Sequence, residues 1–142
     1  DLNKLMEKSS LNDIEAMFMA GLIKPLKNAD IFIDMPDRYG RTFRTRMKRF
    51  NCEKFEAEHK ADEKYPIVAA ASIFAKVTRD HKIEKIKEQL GYDFGSGYPG
   101  DEKTRAALKD PEFLKKADKF IRKKWKTLET VKQQKLINYE SD

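Results

Sequence analysis

The stretch that most constrains this chain runs from residue 54 to residue 80. It opens Lys54-Phe55-Glu56-Ala57-Glu58-His59 and continues through Lys60-Ala61-Asp62-Glu63-Lys64-Tyr65-Pro66 to Arg79-Asp80. Polar and apolar residues alternate around Phe55 and Ala57, the period of a strand. Asp62 then falls in a short loop, and Pro66 suits the first turn of a helix. Ile67, Ala71, Phe74 and Val77 recur at helical spacing, with Ala70 and Ile73 widening the stripe, so they are the expected inner face. The small residues 69–72 would let that helix lie close to a neighbouring backbone. Strand, acid and helix in this order put Asp62 at the crevice beyond a strand's carboxyl end, where open α/β sheets place ligands.

The preceding segment supplies the other half of a β-α-β unit. Residues 1–8 read as the end of a helix or a linker, and the start, Asp1-Leu2-Asn3-Lys4, carries no initiator Met, as in the interior of a longer protein or a processed chain. Residues 10–13 offer N-caps to a helix with Ile14, Phe18 (or Met17) and Leu22 (or Gly21) as its stripe. Pro25 should stop or kink it. Ile31-Phe32-Ile33 predicts a strand buried on both faces, closed by Asp34. A helix is expected within residues 41–50, with Phe43, Met47 and Phe50 inward, and the two strands should then be parallel with a right-handed crossover. Downstream, Gly91 is a natural helix stop, followed by the glycine-rich Gly95-Ser96-Gly97-Tyr98-Pro99-Gly100. Asp101-Glu102 opens a short helix with acids in its first turn, and Pro111 starts another. Phe120, Ile121, Trp125, Leu128 and Val131 would line a last helix, before a polar tail.

The 142 residues suggest one domain. A net charge of +6, with 38% charged residues, makes a polyanion a plausible partner. The single cysteine, Cys52, rules out an internal disulfide and fits a reduced, cytoplasmic setting. No apolar run approaches membrane-spanning length, so no membrane partner is expected.

Asp34 and Asp62 are the main candidates for chemistry. Each closes a strand of one β-α-β unit, so both should face one crevice. Paired carboxylates there suit Mg²⁺ or Mn²⁺, hard ions that share phosphate oxygens. Two such ions can activate a water and stabilise a leaving oxygen in phosphodiester hydrolysis. The plainer alternative is two loop acids that solvate or cap. Asp37 competes with Asp34, which is favoured because it directly follows the strand. Lys60, Ser72 and Lys76, around and after Asp62, are candidate phosphate contacts, and Lys76 is equally readable as a solvated helix residue. His59 either orients a ligand or is a hydrogen-bonded structural histidine. The stretch from Arg38 to Phe50 holds Arg41, Arg44 and four further basic residues without an acid, which is either a duplex contact or a solvated face.

Lys60-Ala61-Asp62 before Tyr65-Pro66, the small-residue helix with Ser72-Ile73 and Ala75-Lys76, Arg79-Asp80, and Gly95-Ser96-Gly97-Tyr98-Pro99 together resemble ribonuclease HII, its archaeal branch in particular. The resemblance covers nearly the whole chain but only the C-terminal part of the family domain. It implies an α/β ribonuclease H-like fold, here a β-α-β unit in residues 1–100 followed by a C-terminal helical segment in residues 101–142. It implies Mg²⁺- or Mn²⁺-dependent cleavage of the RNA strand of RNA–DNA hybrids, and of ribonucleotide-containing duplex DNA, leaving 5′-phosphate ends. Asp34 and Asp62 match the third and fourth of four family carboxylates, and Tyr98 matches a tyrosine that stacks at the ribose of the RNA–DNA junction. The family's adjacent Asp-Glu followed by Ala-Gly-Arg-Gly does not occur here. Two readings stand beside an active nuclease: a catalytically incomplete hybrid-binding fragment, and one subunit of a split enzyme whose second polypeptide supplies the Asp-Glu and Gly-Arg-Gly segments. Gly100-Asp101-Glu102 stands where the family continues Ser-Asp-Pro, a departure that leaves Tyr98 in place.

Overall fold

The computed structural model describes residues 2–130. It divides the chain into two compact units, one of residues 3–76 and one from Val77 onward. Val131 and the tail lie outside the described residues.

The first unit opens with helix α1 (Leu2–Lys8) and helix α2 (Leu11–Ile23). Ser10 caps α2, its Oγ accepting the Asp13 N–H at 3.2 Å, and the helix ends two residues before Pro25. The buried stripe of α2 is Ile14, Ala16 and Ala20, whereas Phe18 and Leu22 are exposed. The expected stripe is therefore corrected: alanines face helix α3 (Gly40–Arg49), and their small side chains admit Phe43 and Met47, which are fully enclosed. Cys52 and Phe55 complete this core, with the Phe43 and Phe55 rings edge to face at 5.6 Å.

Strands β1 (Phe32–Asp34) and β2 (Glu56–Glu58) pair in parallel, with Phe32 opposite Glu56, Ile33 opposite Ala57 and Asp34 opposite Glu58. Ile33 and Ala57 pack toward the core. The expectation of a strand covered on both faces fails, because Phe32 and Asp34 are exposed. The sheet has two strands among the described residues, and the Tyr65 ring lies 4.6 Å from that of Phe32.

Asp62 lies not in a loop but in a single helical turn, α4 (Ala61–Lys64), entered through Lys60 at φ +56°. Helix α5 (Pro66–Leu90) follows, and the division between the units falls within it. Its enclosed side carries Val68, Ile83, Ile86 and Leu90. The opposite stripe, expected to be inward, is open to solvent: Ile67, Ile73, Phe74 and Val77 are all exposed, Phe74 at 75%. A helix apolar on both sides is built to be covered on both, and the described chain covers one.

In the second unit Gly91, at φ +61°, ends α5. Asp101 caps helix α6 (Glu102–Ala107), and Asp110 caps helix α7 (Pro111–Lys116), with Pro111 in its first turn. Phe94, Ala107, Leu108, Phe113, Ala117 and Leu128 form the core, with Ile121 and Trp125 packed against it. Residues 121–125 form turns rather than the expected helix, which begins at residue 126. The Trp125 N–H reaches the Arg122 carbonyl, three residues back, at 3.1 Å, the bond of a turn and not of an α-helix.

Candidate metal and nucleic-acid site

Parallel pairing brings the carboxyl ends of β1 and β2 to one edge, and the chain then reverses in four residues from Glu58 to Asp62. The left-handed conformation of Lys60 makes that reversal. As a result Asp34 Oδ1 accepts the Ala61 N–H at 3.2 Å. The Asp34 carboxylate thus stands at the N-terminus of the turn whose second residue is Asp62, which is half-buried. The two acids are 28 positions apart in sequence, and the Ala61 N–H bond ties the first to the turn that carries the second.

Asp37, the competing acid, is engaged within the fold. It is 6% exposed, accepts from Asn12 Nδ2 at 2.7 Å, and binds Arg46 Nε at 3.1 Å. Arg46 also pairs with Asp13. The Ser10 hydroxyl and then Arg46 hold the Asp13 carboxyl below its ordinary range, and Asp13 in turn raises the Arg46 guanidinium. This network joins α2 to α3 and uses up one arginine of the basic stretch. Arg41, Arg44 and Lys48 instead line a concave surface with Gly40, Thr45, Phe55 and Glu53, where Glu53 pairs with Lys48 at 3.7 Å and the Arg44 guanidinium lies 5.1 Å from the Phe55 ring. Three cations against one acid leave that surface basic.

Glu58 neighbours Asp34 across the sheet, yet its carboxylate is held by Lys64 Nζ at 2.7 Å and the Tyr65 hydroxyl at 2.8 Å. Lys64, then Tyr65, keep its pKa below the ordinary glutamate value. Lys60 pairs with Glu63 at 2.9 Å. His59 is exposed, with Nε2 3.1 Å from the Arg38 carbonyl oxygen. Ser72 is half-buried and Lys76 exposed on α5.

Carboxylate oxygen is the right donor for a hard divalent ion. The number of donors is small: among the described residues no group of three or more His, Cys, Asp or Glu is placed to hold a metal. Two carboxylates by themselves would leave most positions around such an ion to water or phosphate oxygens. No helix among the described residues is long and apolar enough to cross a membrane.

In the second unit Tyr98 is 47% exposed on a loop tied down from behind. Asp101 Oδ2 accepts from the Ser96 N–H and, at 2.7 Å, from the Ser96 hydroxyl. The Gly97 N–H donates to Thr104 Oγ1 at 2.9 Å, and that hydroxyl reaches the Phe94 carbonyl at 3.0 Å. The bonds from Ser96 hold the Asp101 pKa down to about 2.

The family model for ribonuclease HII matches residues 2–128. The chain belongs to the ribonuclease HII family. Ribonuclease HII of Archaeoglobus fulgidus is 38% identical over 139 residues, which is 98% of this chain and 67% of that protein. Ribonuclease HII of Pyrococcus furiosus is 43% identical over 131 residues, 87% of this chain and 57% of that one. Among solved structures, the complex of PCNA with RNase HII from Archaeoglobus fulgidus matches with a TM-score of 0.78 and 39% identity, over 92% of this chain and 63% of the solved one. The ribonuclease H2 of Pyrococcus horikoshii matches with a TM-score of 0.69. The fold is thus the α/β ribonuclease H-like fold, and the chain spans roughly three-fifths of the length of these family members.

One residue escaped the sequence reading. Arg79 carries no motif signal apart from the Arg-Asp pair, and its contact with Tyr98 crosses nineteen positions of sequence.

Proposed function

We propose that this chain carries the half of a ribonuclease H-type active site that contains Asp34 and Asp62, and that with the remainder of the family domain it hydrolyses the RNA strand of RNA–DNA hybrids and cuts at ribonucleotides embedded in duplex DNA. The observation that supports this reading is the Asp34–Ala61 hydrogen bond, which sets one strand-end carboxylate over the turn bearing the other. Asp34 and Asp62 would hold Mg²⁺ or Mn²⁺, which when bound supplies an activated water and neutralises charge on the leaving oxygen. Arg41 and Arg44 contact phosphates from the concave surface of α3, with Lys60, Ser72 and Lys76 as further phosphate contacts near the acids. Tyr98 presents a half-exposed ring to the ribose beside the junction.

The test supplies the missing part. The N-terminal portion of the Archaeoglobus enzyme, joined to this chain or mixed with it as a second polypeptide, should restore Mg²⁺- or Mn²⁺-dependent cleavage of a hybrid. Asp34→Asn and Asp62→Asn should each lower cleavage by at least about 100-fold and spare hybrid binding. Turnover equal to the parent in either variant removes that residue from the metal site. The two-carboxylate inventory favours a second reading for the chain by itself: it binds hybrid without cutting it, and the same assay on the unassisted chain distinguishes the two.

A further inference from the structure

The ring of Tyr98 does not stand by itself on its loop. The Arg79 guanidinium carbon lies 3.6 Å from the ring centroid, well inside the roughly 6 Å over which a cation and an aromatic face attract. Arg79 projects from α5, its side chain is 30% exposed, and Nη1 is anchored to Asp80 Oδ1 at 3.0 Å. The loop is shaped around it. A Cβ at Gly97 would come within 3.1 Å of Arg79 Nη2 and 3.2 Å of Ile83 Cδ1, and Gly97 has φ +72°. Residue 97 is thus glycine for two reasons: its backbone conformation, and the passage of the arginine beneath it. Asp101 and Thr104 fix the loop from the other side.

From this geometry we propose that Arg79 is a positioning residue for Tyr98: it stacks on one face of the ring, fixes its plane, and so sets how sharply the protein distinguishes ribose from deoxyribose. The inference rests on the sugar-reading role proposed for Tyr98. An exposed tyrosine free to rotate about two side-chain torsions presents no constant surface to a sugar. A guanidinium supplies a flat, permanently charged support and leaves the far side of the ring open. Lysine offers the same charge without the plane, so the two are not interchangeable here. Arg79 also adds a positive charge that attracts any duplex, and for that reason the informative quantity is the ratio of affinities for two duplexes, not either affinity.

The experiment uses the full 142-residue chain, with an RNA–DNA hybrid and a DNA duplex of the same sequence as probes. Dissociation constants are measured for the wild type, Arg79→Ala, Arg79→Lys, Tyr98→Ala and the Arg79→Ala/Tyr98→Ala pair. Arg79→Ala should lower the preference for hybrid about two- to fivefold, the factor a partly exposed cation–aromatic contact supports. Arg79→Lys should recover affinity for both duplexes but not the preference. The pair should prefer hybrid no less than Tyr98→Ala does, because both changes disable one device. An unchanged preference in Arg79→Ala, or effects that multiply in the pair, overturns the proposal. Without any duplex, the Arg79 Nε–H proton should resonate upfield under the ring current of Tyr98 and return to its ordinary position in Tyr98→Leu; an unshifted wild-type resonance also overturns it. A wild type with no preference for hybrid overturns the reading of Tyr98 and the specificity role together, and an upfield Arg79 resonance in that same protein still upholds the positioning contact.

Discussion

Asp34 and Asp37 can be separated by one pair of matched substitutions, because the fold gives them opposite surroundings. Asp34 is exposed and offers Oδ1 to the Ala61 N–H. Asn in its place keeps an acceptor at that position and loses only the charge, so Asp34→Asn should change stability by less than about 0.5 kcal/mol. Asp37 is 6% exposed, and its two oxygens receive Asn12 and Arg46 separately. Asn has one acceptor oxygen, so Asp37→Asn turns an amide NH₂ toward one of two donors in a buried place. A buried donor left unpaired costs about 1–3 kcal/mol, and more where a charge is involved. Arg46 retains Asp13, which keeps the loss within that range. With a urea slope of about 1–3 kcal/mol/M for a small protein, the midpoint should fall by roughly 1 M. Metal binding should show the reverse pattern. Mn²⁺ should broaden the amide resonances of Ala61, Asp62 and Glu63 in the wild type and in Asp37→Asn, and leave them sharp in Asp34→Asn. If Asp37→Asn abolishes the broadening at unchanged stability while Asp34→Asn retains it, the assignment of roles is wrong.

Two further outcomes follow from burial and charge. Phe74→Lys, at a position 75% exposed, should leave the urea midpoint nearly unchanged and reduce self-association in light scattering, whereas Phe43→Ala, at 1% exposure, should cost about 3–5 kcal/mol; similar costs for the two would mean that the open stripe of α5 is covered in the isolated chain. The Asp101 pKa is depressed from 3.8 to about 2 in the folded chain, so its contribution is complete above about pH 4 and is lost as pH falls through about 2; Asp101→Asn should flatten the acid limb of the urea midpoint between those values, and an acid limb identical to wild type would count against the loop anchor.

What the sequence revealed and what it concealed follow one physical division. Signals that act within a few residues were legible: Ser10 as a cap, Pro66 and Pro111 in first helical turns, Gly91 as a stop, and Asp34 as the last residue of a strand. Choices made by distant partners were not. Helix α5 is apolar along Ile67, Phe74 and Val77 and also along Val68, Ile83, Ile86 and Leu90, and periodicity identifies both stripes without saying which one the rest of the chain covers. In α2 the same ambiguity led to Phe18 and Leu22, the larger apolar residues, although close approach to α3 selects Ala16 and Ala20. Asp37 reads as a loop acid until Asn12, 25 positions earlier, is seen to hold it. The candidate site repeats the pattern. Asp34 closes β1 as its place in the sequence suggests, but the helical turn that carries Asp62 is entered through a left-handed Lys60 that delivers the Ala61 N–H to Asp34, and that residue type gives no hint of such a conformation. A lysine held at positive φ costs energy that a glycine would not. Its place between β2 and α4 is therefore best explained by what it positions.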